Sequence, residues 1–180
     1  MTMGRLTADA EAATQLAAQV SSEQFKAIFR HHPGGVAVIT LSGPEGPVGF
    51  TATSVISVAA EPPHLAFSVA AASSSREAID SASSVVVNFL GDDQHEIASQ
   101  FARRNIDRFA GVDWSPLPTG EPLLAGTTGW IRGTIENRVA VGDSLLVTVR
   151  AEAADHVEGP SPLVYVDRTF HRLGPHSRLG

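Results

Sequence analysis

The chain has 180 residues and a mass of 18.9 kDa; 43% of its residues are hydrophobic, 18% are charged, and none is cysteine. A chain of this size and composition buries a single core, which excludes a disordered, collagen-like or disulfide-stapled protein, and the missing cysteines exclude a thiolate nucleophile and an iron–sulfur cluster. The net charge of −6 has the wrong sign for nucleic acid or an anionic membrane, and no apolar run approaches the ~20 residues of a membrane span.

Residues 1–20 read as an N-terminal arm, frayed or helical, because Asp9 and Glu11 interrupt what would have to be the apolar stretch of a signal peptide. The expected setting is cytoplasmic. Residues 21–174 read as one domain and 175–180 as a tail. Ser21, Ser22, Glu23 and Gln24 form a capping box, Phe25, Ile28 and Phe29 follow at helical spacing, and Pro33, Gly34 and Gly35 end that helix. Val36 to Ser42 is a strand, Gly43 to Pro47 a turn, and 48–60 the return strand of a hairpin, stopped by Glu61, Pro62 and Pro63.

His64 to Val69 is a third strand, and Val85 to Leu90 a fourth with the unbroken apolar character of burial on both faces. Between them the serines at 73–75 precede a short helical pattern containing Ala78 and Ile79. Asp92 or Asp93 is the expected cap of a further helix in which Ile97, Ala98 and Phe101 share a face, with Arg103 and Arg104 at its C-terminal end. From Asp113 to Ala125, Pro116, Pro118, Gly120 and Pro122 predict no regular structure. Two long β segments follow, Gly129 to Val141 and Leu145 to Val157, joined at Gly142, Asp143 and Ser144, and Leu163 to Asp167 is the last strand, ahead of 168–173. This order predicts a mainly β fold with short helices, an antiparallel closed or partly closed barrel, since parallel units need longer crossovers.

Three places can hold chemistry. Ser73, Ser74, Ser75 and Arg76 combine hydroxyls with a guanidinium and suit an anion such as phosphate, or else simply cap a helix. Thr51, Ala52, Thr53 and Ser54 place hydroxyls among β-formers, as cross-strand pairs or as donors to a polar heterocycle. Asn88, inside an apolar strand, must find partners or cost about 1 to 3 kcal/mol, so it is either a structural bracket or a ligand contact. The seven histidines show no zinc spacing, so no metal is expected, and neither a G-x-S-x-G elbow nor a G-x-G-x-x-G fingerprint is present.

Taken in order, the segments FKAIFRHHPGGVAVIT, VGFTATSVISVAAEPPHLAFSV, SSSREAI, VVVNFL, IASQFA and DRFAGVDW resemble the flavin reductase-like family, the small NAD(P)H:flavin oxidoreductases of two-component monooxygenases. The resemblance spans about residues 25–173. It implies a split-barrel homodimer with FMN or FAD bound near the subunit interface, NADH or NADPH as hydride donor, and a flavin-dependent monooxygenase as partner. By position it implies Thr51, Ala52, Thr53, Ser54 and Val55 along the isoalloxazine. Val69, Ala70, Ala71, Ser73, Ser74, Ser75 and Arg76 fall around the ribityl chain and phosphate. Asn88 brackets the pocket, and Arg103, Arg104 and Asn105 approach the phosphate or adenylate end.

The family commonly has G-D-H at the turn before the penultimate strand, where the histidine seats the nicotinamide; here the turn reads Gly142, Asp143, Ser144, and His171 is a candidate to fill the gap. That departure keeps open a flavin carrier of the same fold without reductase activity; a third reading, a split-barrel protein acting on pyridoxine phosphate or a deazaflavin, stays open because fold alone does not fix function.

Overall fold

The computed structural model describes residues 20–159 and 161–179, so nearly all of the expected arm at 1–20 lies outside the described residues. The chain divides into two compact units, Met1–His32 and Pro33–Gly180. In the first, helix α1 (Ser22–Arg30) starts at the expected capping box: the Ser21 hydroxyl accepts from the Gln24 amide at 3.1 Å, and the Gln24 side chain accepts from the Ser21 amide at 3.0 Å. Phe25 and Phe29 stack with ring centroids 4.5 Å apart on its apolar face.

The second unit is built on antiparallel strands: β1 (Gly34–Gly35), β2 (Ala37–Gly43), β3 (Gly46–Ala52), β4 (Ile56–Ala60), β5 (Pro63–Ala70), β6 (Ser84–Phe89), β7 (Trp114–Pro116), β8 (Pro122–Leu124), β9 (Gly129–Val141), β10 (Ser144–His156), β11 (Leu163–Val166) and β12 (Thr169–Arg172). Helices α2 (Arg76–Ser81) and α3 (His95–Ala102) are inserted on either side of β6. The main sheet has the order β3-β2-β6-β9-β10-β5-β4, the second β1-β11-β12, and β7-β8 is a separate ribbon. No described helix is long and apolar enough to cross a membrane.

Two apolar clusters flank β2 and explain its continuous burial. Ala37, Ile39 and Leu41 face Phe50, Phe67, Val87 and Val147, while Val36 and Val38 face Leu90, Ala98 and Phe101. Alternate residues thus bury on opposite sides, so both must be apolar. Each fully buried side chain of this size contributes roughly 1.5 to 3 kcal/mol, and Ile39, Phe67 and Phe101 are all 0% exposed.

Four expectations are corrected. The segment 48–60 is two strands, β3 and β4, because the chain bends at 53–55 and β4 crosses to pair with β5. Neither Asp92 nor Asp93 caps α3: the N-cap is Gln94, and the Asp92 carboxylate instead meets Arg172 at 2.7 Å. The proline-rich stretch after Asp113 does form a ribbon, β7-β8, whose prolines sit at its ends, where a missing amide removes no ladder bond. Finally, 169–172 form a strand, paired with β11 through Asp167 and Arg168 at φ 48° and 61°.

Candidate functional site

The end of β5 is where the candidate segments meet. Ser54, in the bend after β3, accepts the Ser68 amide at 3.0 Å and donates to the Ser68 carbonyl at 3.3 Å, stapling the hydroxyl-rich segment to β5. At that strand's end Ala70 pairs with Ser144, and the Ala71 amide donates to the Asp143 carbonyl at 2.8 Å. One strand therefore holds the 51–55 segment, the serine loop and the Gly142–Ser144 turn together. Gly142 has φ 58°, a left-handed conformation that glycine adopts without strain, and it lets β9 and β10 close through a two-residue turn.

Within this group the residues point differently. Thr53 is exposed, Ser54 and Val55 are half-buried, and Val55 packs on the main core. The Thr51 hydroxyl donates to the Ala98 carbonyl of α3 at 2.6 Å, and Ala52 and Val69 are core residues. Ala70 and Ala71 are exposed. Asn88 is 0% exposed: its amide donates to the Val38 carbonyl and the Thr40 hydroxyl, both at 3.0 Å, while its oxygen accepts the Leu124 amide at 3.0 Å. It faces α3 and β8, on the far side of β6 from the main core, and has no atom at a surface. Those bonds make it a bracket between β2, β6 and β8.

Loop 71–75 turns on its own bonds, Ser73 amide to Ala70 carbonyl at 2.9 Å and Ser75 amide to Ser73 hydroxyl at 3.3 Å. Ser75 is 1% exposed and Ser74 faces solvent. Arg76 is drawn away, its Nε lying 3.0 Å from both carboxylate oxygens of Asp80. Another guanidinium takes its place beside the serines. Arg108 donates from Nη1 to the Ser75 hydroxyl at 3.0 Å and the Gly49 carbonyl at 2.8 Å, from Nη2 to the Ser74 hydroxyl at 3.1 Å, and from Nε to the Arg103 carbonyl at 2.7 Å. Burial pushes its pKa below the usual arginine value, and the neighbouring Arg104 charge adds to that. Arg103, Arg104 and Asn105 are exposed on the turn that leads to it.

Arg108 was not among the candidates from sequence, although D-R-F-A-G carried it. A groove of about 1060 Å³ opens beside this corner, lined by Ser74, Val48, Ala78, Phe109 and Trp114. His171 lies elsewhere, exposed on β12 in the second sheet, and makes no hydrogen bond to the Gly142–Ser144 turn. Among the described residues no group of three or more His, Asp or Glu is placed to hold a metal ion.

The family described as "Flavin reductase like domain" matches residues 29–174. An NADH:FMN oxidoreductase of Rhodococcus qingshengii is 41% identical over 170 residues, 91% of this chain and 88% of that one. The reductase subunit HsaB of a flavin-dependent monooxygenase of Mycobacterium tuberculosis is 30% identical over 162 residues, 89% of this chain and 87% of its own. Among solved structures, a flavin reductase domain protein from an Arthrobacter species superposes with a TM-score of 0.82 at 37% identity, covering 86% of this chain and 97% of that one. With matches of that extent in sequence and in structure, the chain belongs to the flavin reductase-like domain family.

Proposed function

We propose that this protein reduces FMN or FAD with NADH or NADPH and supplies the reduced flavin to a separate monooxygenase. The observation that carries the reading is the convergence on β5: the hydroxyl-bearing bend, the serine loop and the β9–β10 turn, assigned by family resemblance to ring, phosphate and nicotinamide, are tied to one strand. The relatives' names support the chemistry, one as an NADH:FMN oxidoreductase and one as a monooxygenase reductase subunit.

The residues fit a flavin phosphate. Ser74 presents a hydroxyl to solvent, and Arg108 beside it has no carboxylate partner among the described residues, so the corner suits an anion. Bound flavin supplies the hydride-accepting ring. Thr53, Ser54 and Val55 would line that ring, and Gly142–Ser144 would hold the nicotinamide against it. Such transfer requires two rings held in contact, and no side-chain acid or base is needed to carry it.

We read the main sheet as a split barrel. Phe50 of β3 and Phe67 of β5 have ring centroids 6.1 Å apart although their strands are far apart in the sheet order, which is what a curled sheet gives. A homodimer completes the reading. The register sets Ile56 of edge strand β4 and Val139 of β9 on the outer face of this sheet, and they are 57% and 48% exposed. Apolar side chains exposed across a sheet face mark an association surface. A cytoplasmic setting, where NAD(P)H is available, accords with this function.

The test is oxidation of NADH or NADPH by purified protein with FMN or FAD added. Flavin-dependent oxidation is expected, and none with either nucleotide and either flavin would overturn the proposal.

A further inference from the structure

We propose that Tyr165 is a further residue of the flavin ring site, its phenol hydroxyl hydrogen-bonding the bound ring beside Thr53. The inference rests on the flavin reductase reading above and adds to it a residue of the second sheet, where His171 was the candidate from sequence.

Gly34 brings the second sheet against the bend at 53–55. A Cβ on Gly34 would lie 2.8 Å from the Thr53 carbonyl oxygen and 3.4 Å from the Thr53 Cβ, so the bend occupies the place a side chain would take. Gly34 of β1 pairs with Tyr165 of β11, and residues directly opposite in an antiparallel pair project to the same face with Cβ positions about 4.5 to 5.5 Å apart. Thr53 and Tyr165 are therefore neighbours across a residue without a side chain, their Cβ atoms within about 9 Å, an interval that aromatic side chains cross. Alternation along β11 and β12 puts Val164 and His171, which pair with each other, on the opposite face.

Tyr165 is half-buried and held in place. Its ring meets that of Phe170, its partner on β12, with centroids 5.0 Å apart, and both rings pack on the cluster that contains Val38, Leu90 and Phe101. Among the described residues the phenol hydroxyl has no hydrogen-bond partner, yet no buried side-chain oxygen is left unpaired, so this hydroxyl reaches the surface. The other hydroxyls near the bend are spent inside the protein: Thr51 donates to the Ala98 carbonyl at 2.6 Å and Ser54 to the Ser68 carbonyl at 3.3 Å. Exposed Thr53 and the tip of Tyr165 are what this corner offers a ligand. One is carried on a bend stapled to β5, the other on a ring pinned by Phe170. A hydroxyl both donates and accepts, which suits the mixed donors and acceptors at the edge of a flavin ring, and the apolar body of a tyrosine suits its faces.

Tyr165 is the only tyrosine of the chain, so protein made with tyrosine isotopically labelled at the phenol carbon gives one carbon NMR signal for this site. Saturating FMN and saturating riboflavin should shift that signal alike, because the contact is to the ring they share, and inorganic phosphate should leave it in place. Tyr165→Phe keeps the packing on Phe170 and removes the hydroxyl. Its affinities for FMN and for riboflavin, read by quenching of flavin fluorescence, should fall together by about 3- to 10-fold, the worth of one hydrogen bond, with thermal unfolding close to that of wild type. A signal unmoved by either flavin at saturation would overturn the proposal whether or not the variant folds. So would a Tyr165→Phe protein that binds both flavins as tightly as wild type, or one that loses affinity for FMN alone. Wild-type protein that quenches the fluorescence of neither flavin would instead contradict the flavin reading beneath it.

Discussion

The Ala71 amide donates to the Asp143 carbonyl at 2.8 Å, fastening the start of the serine loop to the turn between β9 and β10. The next residue, Ser144, directs its hydroxyl to the Asp143 carboxylate at 3.3 Å, where the family pattern commonly has histidine. Ser144→His adds a ring at this junction. We expect KM for the nicotinamide nucleotide to fall about fivefold, the worth of roughly 1 kcal/mol from one ring contact, with the FMN dissociation constant unchanged. Steady-state kinetics beside flavin titration checks this. An unchanged KM would remove the turn from the nicotinamide site.

Asn88 separates a structural part from a binding part. Asn88→Ala leaves the Leu124 amide without its partner in a region that is 0% exposed, and should cost about 1 to 3 kcal/mol. FMN affinity of the folded variant should stay within about twofold. Urea unfolding and flavin titration on the same sample test the pair, and a large loss of affinity at unchanged stability would place Asn88 at the ligand.

Glu121 sets an acid-side dependence of stability. Burial raises its pKa, but hydroxyl bonds from Ser84 and Thr119, backbone bonding and the Arg132 guanidinium outweigh that and bring it from 4.5 to about 2. A value lower in the folded than in the unfolded chain means that the stabilisation is full above about 4.5 and is lost as pH falls from there towards 2. Glu121→Gln should be less stable at neutral pH and should lose less of its remaining stability across that window. Urea melts at several pH values provide the check, and parallel profiles for the two proteins would contradict it.

The outer sheet face gives a prediction about assembly. Ile56→Glu together with Val139→Lys, both at exposed positions, should convert a dimer to a monomer while leaving the thermal unfolding of the isolated fold close to that of the parent. Sedimentation analysis decides it. A doubly substituted protein that remains dimeric would exclude this face.

Much of the scaffold could be read from local chemistry. The capping box of α1, the G-D-S turn and the apolar strands are all specified by residues close in sequence, and they stand where the pattern puts them. What escaped depends on partners distant in the chain. The break at 53–55 is fixed by Ser54 bonding to Ser68, and β7-β8 is held by Asn88 and Thr40, none of which a window of neighbouring residues contains. At β12, the Asp167–Arg168 turn takes positive φ without glycine or asparagine, so the usual turn signal is missing. Arg76 is the instructive case. Its i, i+4 spacing to Asp80 was visible and already implied a committed charge, whereas the approach of Arg108 to Ser74, 34 residues away, was not.

The central claim, that this fold carries a flavin which a nicotinamide nucleotide reduces, is tested most directly by anaerobic titration of the FMN-loaded protein with NADH and with NADPH while the visible absorption of the flavin is followed. The account predicts bleaching in proportion to the nucleotide added, with recovery on admission of air. Absorption that persists with excess of either nucleotide would contradict it and leave a protein that holds flavin without reducing it.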